Sequence, residues 1–412
     1  MRGMSNPTLD LIQKMFRKYY MESFQEISLP NSFEKREFGA LLFKEKIMIR
    51  HKKFDAPAEL KSFLCSVIPS DVYYSGAYYE QPDASEMDAK DWIGADLIFD
   101  IDADHILTGC EKTHNKWSCL KCGFAGRGVT PLTCPVCEGE KFNEKTWVCN
   151  ACLESAKHET RKLLDVLQDF GFSEKDIRVY FSGHRGYHVH VEDESVKSLD
   201  ALARKEIVDY FSGIGLDLRF HGLDNGGFNT SYVSRGYSGW NMRIVRGVFE
   251  FLSGITPQDL EGIGLRKNVV NAIVKNKDMF MESWRESGSW SGVKGVGFET
   301  WKKILKKAVA MQSVNLDTVV TTDIHRLIRV TGTLHGKTGL KKIEFPVSRL
   351  EEFDPLKEAI AFKSGSLTIH VSDVPKFSLD GEEFGPYQEK TVSLPTAAAL
   401  FLLCKNVARL VE

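Results

Sequence analysis

No run of eighteen consecutive apolar residues occurs in the 412-residue chain, so nothing in it reads as a membrane-spanning helix. The first residues, MRGMSNPTLDLIQKMF, carry early charges and Asp10 where a secretory leader needs an apolar centre. A cytoplasmic protein with no membrane partner is expected. Excess charge of either sign is missing too, since 54 Lys+Arg against 56 Asp+Glu leave a formal net charge of -2. The chain as a whole does not advertise a polyanion partner, and only a local basic groove would serve one. Cysteine is scarce outside a single window. Seven of the nine lie between Cys110 and Cys152, with Cys65 and Cys404 standing apart. In a reducing compartment such clustering means bound metal rather than a disulfide framework. The length exceeds what one hydrophobic core usually serves, so two or more domains are expected.

What is present is organised around LIFDIDADH, Leu97 to His105. Leu97, Ile98 and Phe99 form the apolar run of a buried strand within Trp92 to Asp102, read as the central strand. The alternation of Asp100, Ile101 and Asp102 then turns both carboxylates to one side. Neighbouring carboxylates raise each other's pKa unless a cation lies between them. Hard oxygen donors favour Mg2+ or Mn2+ over zinc. The bland alternative is a polar strand end with Asp104 as a cap.

Three C-x-x-C pairs fall between Cys119 and Cys152, and with Cys110 and His114 they give eight candidate ligands, enough for two tetrahedral zinc sites. CLKCG and CPVCEG each have the form of a ribbon knuckle. They pair as Cys119, Cys122, Cys134 and Cys137, leaving Cys110, His114, Cys149 and Cys152 to close a second site at the base of the excursion. Sequential pairing, Cys110 to Cys122 and Cys134 to Cys152, is the rival.

Residues 8–27 and 58–66 read as helices, and Phe38 to Ile49 as two strands around a charged turn at Lys44 to Lys46. Ala156 to Asp169 is helical by period, and it leads into IRVYFSGHRGYHVHVED. There Ser182, two glycines, Arg185 and His188 suit a phosphate cradle, because glycine lets the backbone approach and arginine grips phosphoryl oxygens in pairs. Residues 217–246 read as a glycine-rich loop, and 254–310 as short helices whose GIG and GVKGVG turns hint at helix-hairpin-helix contacts. Beyond them, Asp317 precedes a helix expected over Asp323 to Ile328, followed by Arg329, His335, Lys337, Lys341 and Lys342. Six Lys or Arg against one Glu between Arg326 and Arg349 make this a basic strip that the net charge conceals. Asp317 beside it suits a third metal ligand next to a triphosphate site.

In this order, REFGALLF with IRHKKF, DIDADH, the cysteine excursion, SGHRGYH, LDTVV and HRLIRVTGTLHGKTG together resemble the small catalytic subunit family of archaeal and eukaryotic DNA primases, over nearly the whole chain. The ribbon-rich insertion and the lack of a basic C-terminal extension look archaeal. The resemblance implies an α+β fold of mixed and antiparallel sheets. The catalytic core would be built from 1–109, 153–253 and 311–412, with a zinc-binding region at 110–152 and an accessory helical subdomain at 254–310. It implies Asp100, Asp102 and Asp317 as ligands of catalytic Mg2+ or Mn2+, with Asp323 as the fallback for the third. Nucleotide phosphates would fall to Ser182, His184, Arg185 and His188, and to Arg329, His335 and Lys337, with His184 standing where eukaryotic relatives carry an arginine. Cys110, His114, Cys149 and Cys152 match the family's single structural zinc, and the inner four cysteines look like an added ribbon. The implied activity is primer synthesis on single-stranded DNA from nucleoside triphosphates. The implied partner is a large subunit carrying an iron-sulfur cluster. A repair-type polymerase that extends DNA ends and a non-catalytic zinc-ribbon nucleic-acid-binding protein are the competing functions.

Overall fold

The structure, a computed structural model, describes residues 6–411 apart from 45, 107, 146, 148, 222, 225–226, 229–238, 280 and 283–295. The chain divides into two units, Met1–Thr160 with Glu174–Lys205 and Leu316–Glu412, and Arg161–Ser173 with Glu206–Asn315. Every strand ladder among the described residues is antiparallel, as in the α+β class expected.

Eight strands of the first unit make its two largest sheets: β1 (Phe38–Leu41), β2 (Met48–Lys52), β3 (Asp71–Ser75), β4 (Leu97–Asp102), β5 (Ile177–Phe181), β6 (Gly186–Val191), β7 (Leu327–Arg329) and β8 (Ile343–Phe345). They form two sheets, one in the order β7-β3-β1-β2 and the other β8-β5-β6-β4. The second sheet buries Phe99, Val179, Phe181, Tyr187, Val189 and Val191 completely. Full burial of side chains of this size contributes roughly 1.5–3 kcal/mol apiece. Helix α1 (Pro7–Glu22) starts where the Asn6 side chain accepts the Leu9 N–H, and it buries Ile12, Phe16, Tyr19 and Tyr20. It stops short of the expected 27, giving way to a turn at Phe24–Glu26.

The expected central strand 92–102 is two strands in two sheets. Trp92–Ala95 pairs with Ala77–Tyr79, while β4 lies at the edge of its own sheet. Asp96 causes the break. Its carboxylate is buried and takes Arg36 Nη2 at 2.7 Å and the Tyr78 hydroxyl at 2.8 Å, so the chain turns to satisfy it. Helix α2 (Asn150–Phe170) begins six residues earlier than the period suggests, directly after Cys149.

In the second unit, α3 (Trp240–Ser253) covers part of the expected 217–246 loop, and α4 (Phe298–Gln312) packs on it. Trp240, Ile244, Val248, Trp301, Ile304 and Leu305 make its core. Arg243 is buried there, donating to the Gln312 carbonyl at 2.6 Å and pairing with Asp169 at 3.2 Å. The 254–310 segment falls inside this unit together with 206–253, and most of its GVKGVG turn lies outside the described residues. Back in the first unit, the helix expected at Asp323 to Ile328 is instead α5 (Thr318–Thr322). Leu327, Ile328 and Arg329 are drawn into the sheet beside β3, a tertiary pairing that overrides the local helical period.

Candidate active site

β4 and β6 pair with Asp100 opposite His188 and Asp102 opposite Gly186. Opposed residues share a face, so the two carboxylates and the imidazole stand on one wall. Gly186 permits this approach, because a Cβ there would lie 2.1 Å from the Ile101 carbonyl oxygen. The wall bounds a cavity of about 180 Å³ lined also by Ser182, His184, Arg326, Arg329, His335 and Tyr73. The structure thus gathers Asp100, Asp102, Ser182, His184, His188, Arg329 and His335 from three separate stretches of sequence.

Asp102 is held by Arg185, whose Nε lies 2.8 Å from Oδ1 while its N–H is directed at Oδ2, 3.1 Å away. Oδ1 is therefore buried without a hydrogen bond. Burial raises the Asp102 carboxyl above its ordinary pKa, and neighbouring Asp104 adds to this against the opposing pull of Arg185. Arg185 is shared with Asp104. A partly satisfied carboxylate pair of hard oxygens fits a divalent cation of the Mg2+ or Mn2+ type. Asp100 faces His188 Nε2 at 3.4 Å. Burial, reinforced by Lys342, Arg329 and Arg326, keeps His188 well below the ordinary imidazole pKa, so it stands neutral and able to donate one N–H.

Asp317, Arg185 and Lys337 do not line the cavity. Asp317 caps α5, its side chain accepting the Val319 N–H at 2.9 Å, while its own N–H donates to the Asp100 carbonyl at 3.1 Å. That bond brings it against the edge of β4. Asp323 sits at the other end of α5, accepting the His325 N–H. Lys337 is exposed, and its backbone N–H donates to His335 Nδ1 at 3.0 Å, which leaves the ring proton on Nε2. Burial, with Arg329 and Lys337 close by, keeps His335 well below the ordinary imidazole pKa.

Asp71 and Tyr73 are the residues that motif reading passes over, and Arg326 is read only as the head of the basic strip. Asp71 is buried and takes Arg329 Nη1 at 2.6 Å, the Gly336 N–H at 3.0 Å and the Ser70 hydroxyl at 2.8 Å. Burial pushes its carboxyl up, but these donors outweigh it and hold the pKa below the ordinary value. It fixes both Arg329 and the turn after His335. Its signal in the sequence is one acid at the head of the apolar strand DVYYS. Arg326 lines the cavity, and its guanidinium pairs with no carboxylate among the described residues.

Two sets of ligand atoms converge as the nested pairing expects: Cys110, His114, Cys149 and Cys152, and Cys119, Cys122, Cys134 and Cys137. Four thiolates about 2.3 Å from a tetrahedral zinc stand about 3.8 Å apart. The sulfurs here are separated by 3.5 Å for Cys119 and Cys137, 3.6 Å for Cys122 and Cys134, and 3.7 Å for Cys110 and Cys149. His114 Nε2 lies 3.3 Å from Cys152 Sγ, and Nδ1 lies 2.7 Å from Asn115 Oδ1, which orients Nε2 toward the sulfurs. Asn115 Oδ1 is itself steadied by the Trp147 N–H at 3.1 Å. Hydrogen bonding, first from Cys152, holds the Cys149 thiol down at about 4, and the Cys122 amide leads the groups that hold Cys119 at about 6. Both sets could hold zinc. The inner set belongs to a three-stranded ribbon of Lys116–Cys119, Ala125–Arg127 and Phe142–Lys145, with Cys119 at a strand end and Cys122, Cys134 and Cys137 in its connections.

Comparison with known proteins gives a match to the model of the DNA primase small subunit family over residues 137–347. The chain is 34% identical to the DNA primase small subunit PriS of Methanothrix thermoacetophila, covering 98% of this chain and 99% of that one. It is 33% identical to the same subunit of Cenarchaeum symbiosum, with 98% and 99% covered. Against that of Methanococcoides burtonii it is 33% identical, with 95% and 98% covered.

Proposed function

Since the chain belongs to the DNA primase small subunit family, we propose that it is the catalytic subunit of a DNA primase, joining nucleoside triphosphates into short RNA or DNA primers on a single-stranded DNA template. The observation that carries this reading is the register of β4 on β6. It sets Asp100, Asp102 and His188 on one wall of the cavity that Arg326, Arg329 and His335 also line. Acids alone would repel a nucleotide, and bases alone would bind it without chemistry. The two together suit phosphoryl transfer.

Asp100 and Asp102, with Asp317 at the strand edge, would hold two Mg2+ or Mn2+ ions. When bound, such ions make a 3'-hydroxyl a better nucleophile and neutralise the leaving pyrophosphate. The chain's own groups do the rest. Arg326 and Arg329 offset negative charge on the triphosphate, and the Ser182 hydroxyl supplies a hydrogen bond to a phosphoryl oxygen. His188 and His335 are neutral, so each offers a directed N–H rather than a mobile charge. Arg185, paired with Asp102 and Asp104, is the nearby guanidinium that would exchange onto phosphate when a nucleotide binds. Lys337, exposed at the rim, adds a screened charge. Starting a chain requires two nucleotides side by side, an entropic burden met by positioning alone, so initiation is the slow step. Zinc in both cysteine sets is structural, with every ligand position filled by the protein.

The test is incubation with single-stranded template, ribonucleotides or deoxyribonucleotides, and Mg2+ or Mn2+, without a primer. Labelled oligonucleotides are expected, and they should vanish in Asp100→Asn. Extension only when a primer is supplied would point to the repair-type polymerase. Template binding without incorporation would point to a zinc-ribbon binding protein.

A further inference from the structure

The proposed nucleotide site has two phosphate-facing loops, 182–186 and 335–340, that come from different ends of the first unit's sequence. They are locked to each other at three points. The Thr338 hydroxyl donates to the Gly183 carbonyl at 2.6 Å. Gly183, at a φ of 83° that favours glycine, lies so close that a Cβ there would stand 3.2 Å from His335 Cβ and from the Leu340 carbonyl oxygen. The third point is aromatic: the rings of His184 and His335 stack with centroids 4.7 Å apart and planes 26° apart.

The geometry points to His184 as a positioning residue that holds the His335 ring in the plane from which Nε2–H reaches a phosphoryl oxygen, rather than as a phosphate ligand. This rests on the nucleotide-site reading and goes beyond it by assigning what the histidine in SGHRGYH does. The Lys337 N–H fixes which nitrogen of His335 carries the proton, but one hydrogen bond to Nδ1 leaves the ring free to swing about it. A flat neighbour in van der Waals contact removes that freedom, and an aromatic pair of this separation is attractive in its own right. His184 is in turn fixed by its backbone, whose N–H donates to Ser182 Oγ at 3.3 Å. The Ser182 hydroxyl also accepts the Gly186 N–H at 3.3 Å, so the loop that presents the ring is closed on itself. Burial keeps both rings uncharged, consistent with stacking rather than charge as their common service.

The role predicts that shape matters and nitrogen does not. His184→Ala should raise the nucleotide KM roughly tenfold with a smaller change in kcat, and His184→Phe, which keeps a flat ring, should restore it. Equal damage in the Phe and Ala variants, with an active parent protein, would overturn the inference, because the ring would then be acting through its nitrogens. A second measurement does not depend on turnover. With isotope-labelled histidine, the His335 ring should give one sharp set of signals in the parent and in His184→Phe, and motionally broadened ring signals in His184→Ala, with the proton on Nε2 in all three because the Lys337 N–H still holds Nδ1. An unchanged His335 signal in His184→Ala would also overturn it. Absence of primer synthesis in the parent, with the His335 signal responding as described, would instead count against the nucleotide reading and leave the stacking intact.

Discussion

Asp102 is satisfied by Arg185 on one oxygen only. Its Oδ1 is buried without a hydrogen bond, and its pKa is raised by burial and by Asp104. Asp102→Asn and Asp100→Asn should each lower primer synthesis by roughly a hundredfold or more. Neither should lower the thermal midpoint by more than about 1 kcal/mol equivalent, since a neutral amide relieves the buried charge. Activity near that of the parent in either variant would remove the metal assignment. Lys342 makes a different prediction. It is completely buried, donates to the Arg329 carbonyl at 2.9 Å, and lies over the Tyr180 ring at 4.3 Å. Burial pushes its pKa from 10.5 down to about 7. Between those values the unfolded chain binds the proton and the folded chain does not, so stability rises with pH across that window. Below about pH 7 both states are protonated and the cost of the buried charge is fully present. Denaturant midpoints should therefore climb from pH 7 to pH 9, and Lys342→Met should flatten the climb. Equal slopes in the two proteins would contradict the assignment. Of the residues that the motifs single out, Asp100, Asp102, Ser182, His184, His188, Arg329 and His335 line one cavity, while Arg185, Asp317 and Lys337 lie outside its lining. Motif reading passes over Asp71, because a buried acid whose partner, Arg329, is 258 residues away has no local pattern.

At the scale of elements, the shared face of Asp100 and Asp102 on β4 and the cysteine nesting were legible because each has a short-range rule, period two for the one and C-x-x-C for the other, whereas the pairing of β4 with β6 has none. The ends of β4 and the helix near Asp323 were not legible either. Asp96 breaks the strand for the sake of Arg36 and Tyr78, and β7 is claimed by β3, partners that lie far away in sequence. The zinc sets carry the clearest element-scale prediction. The purified protein should hold two zinc ions per chain by elemental analysis, and Cys122→Ser with Cys137→Ser should reduce this to one while sparing the Cys110, His114, Cys149 and Cys152 site. A single ion in the parent, with the inner four thiols open to alkylation, would show that the ribbon does not bind metal. Neither zinc should exchange with the catalytic Mg2+ or Mn2+, because thiolate sites select against those ions.

For the whole molecule, the resemblance over nearly the full length of archaeal small subunits bears on assembly as well as chemistry. We expect the chain to co-purify from its source cell with a large subunit bearing an iron-sulfur cluster, and its recovery alone would weigh against an obligate pair. No helix among the described residues is long and apolar enough to cross a membrane. The division into two units was only partly visible beforehand. The lysine-rich helices of 254–310 stand out by composition, but Trp240, Ile244 and Val248 join the same core from a stretch that reads as loop. The central claim is that one cavity couples the DIDADH carboxylates to a nucleotide triphosphate held by SGHRGYH and RVTGTLHGKTG. Its most direct test is nucleotide binding and primer-free synthesis measured together on the parent, Arg329→Ala, His335→Ala and the double variant. Each single change should weaken binding about tenfold, and the double variant should lose less than the product of the two, because groups sharing one ligand are not independent. Losses that multiply fully, or nucleotide affinity unchanged by either substitution, would contradict a single shared pocket.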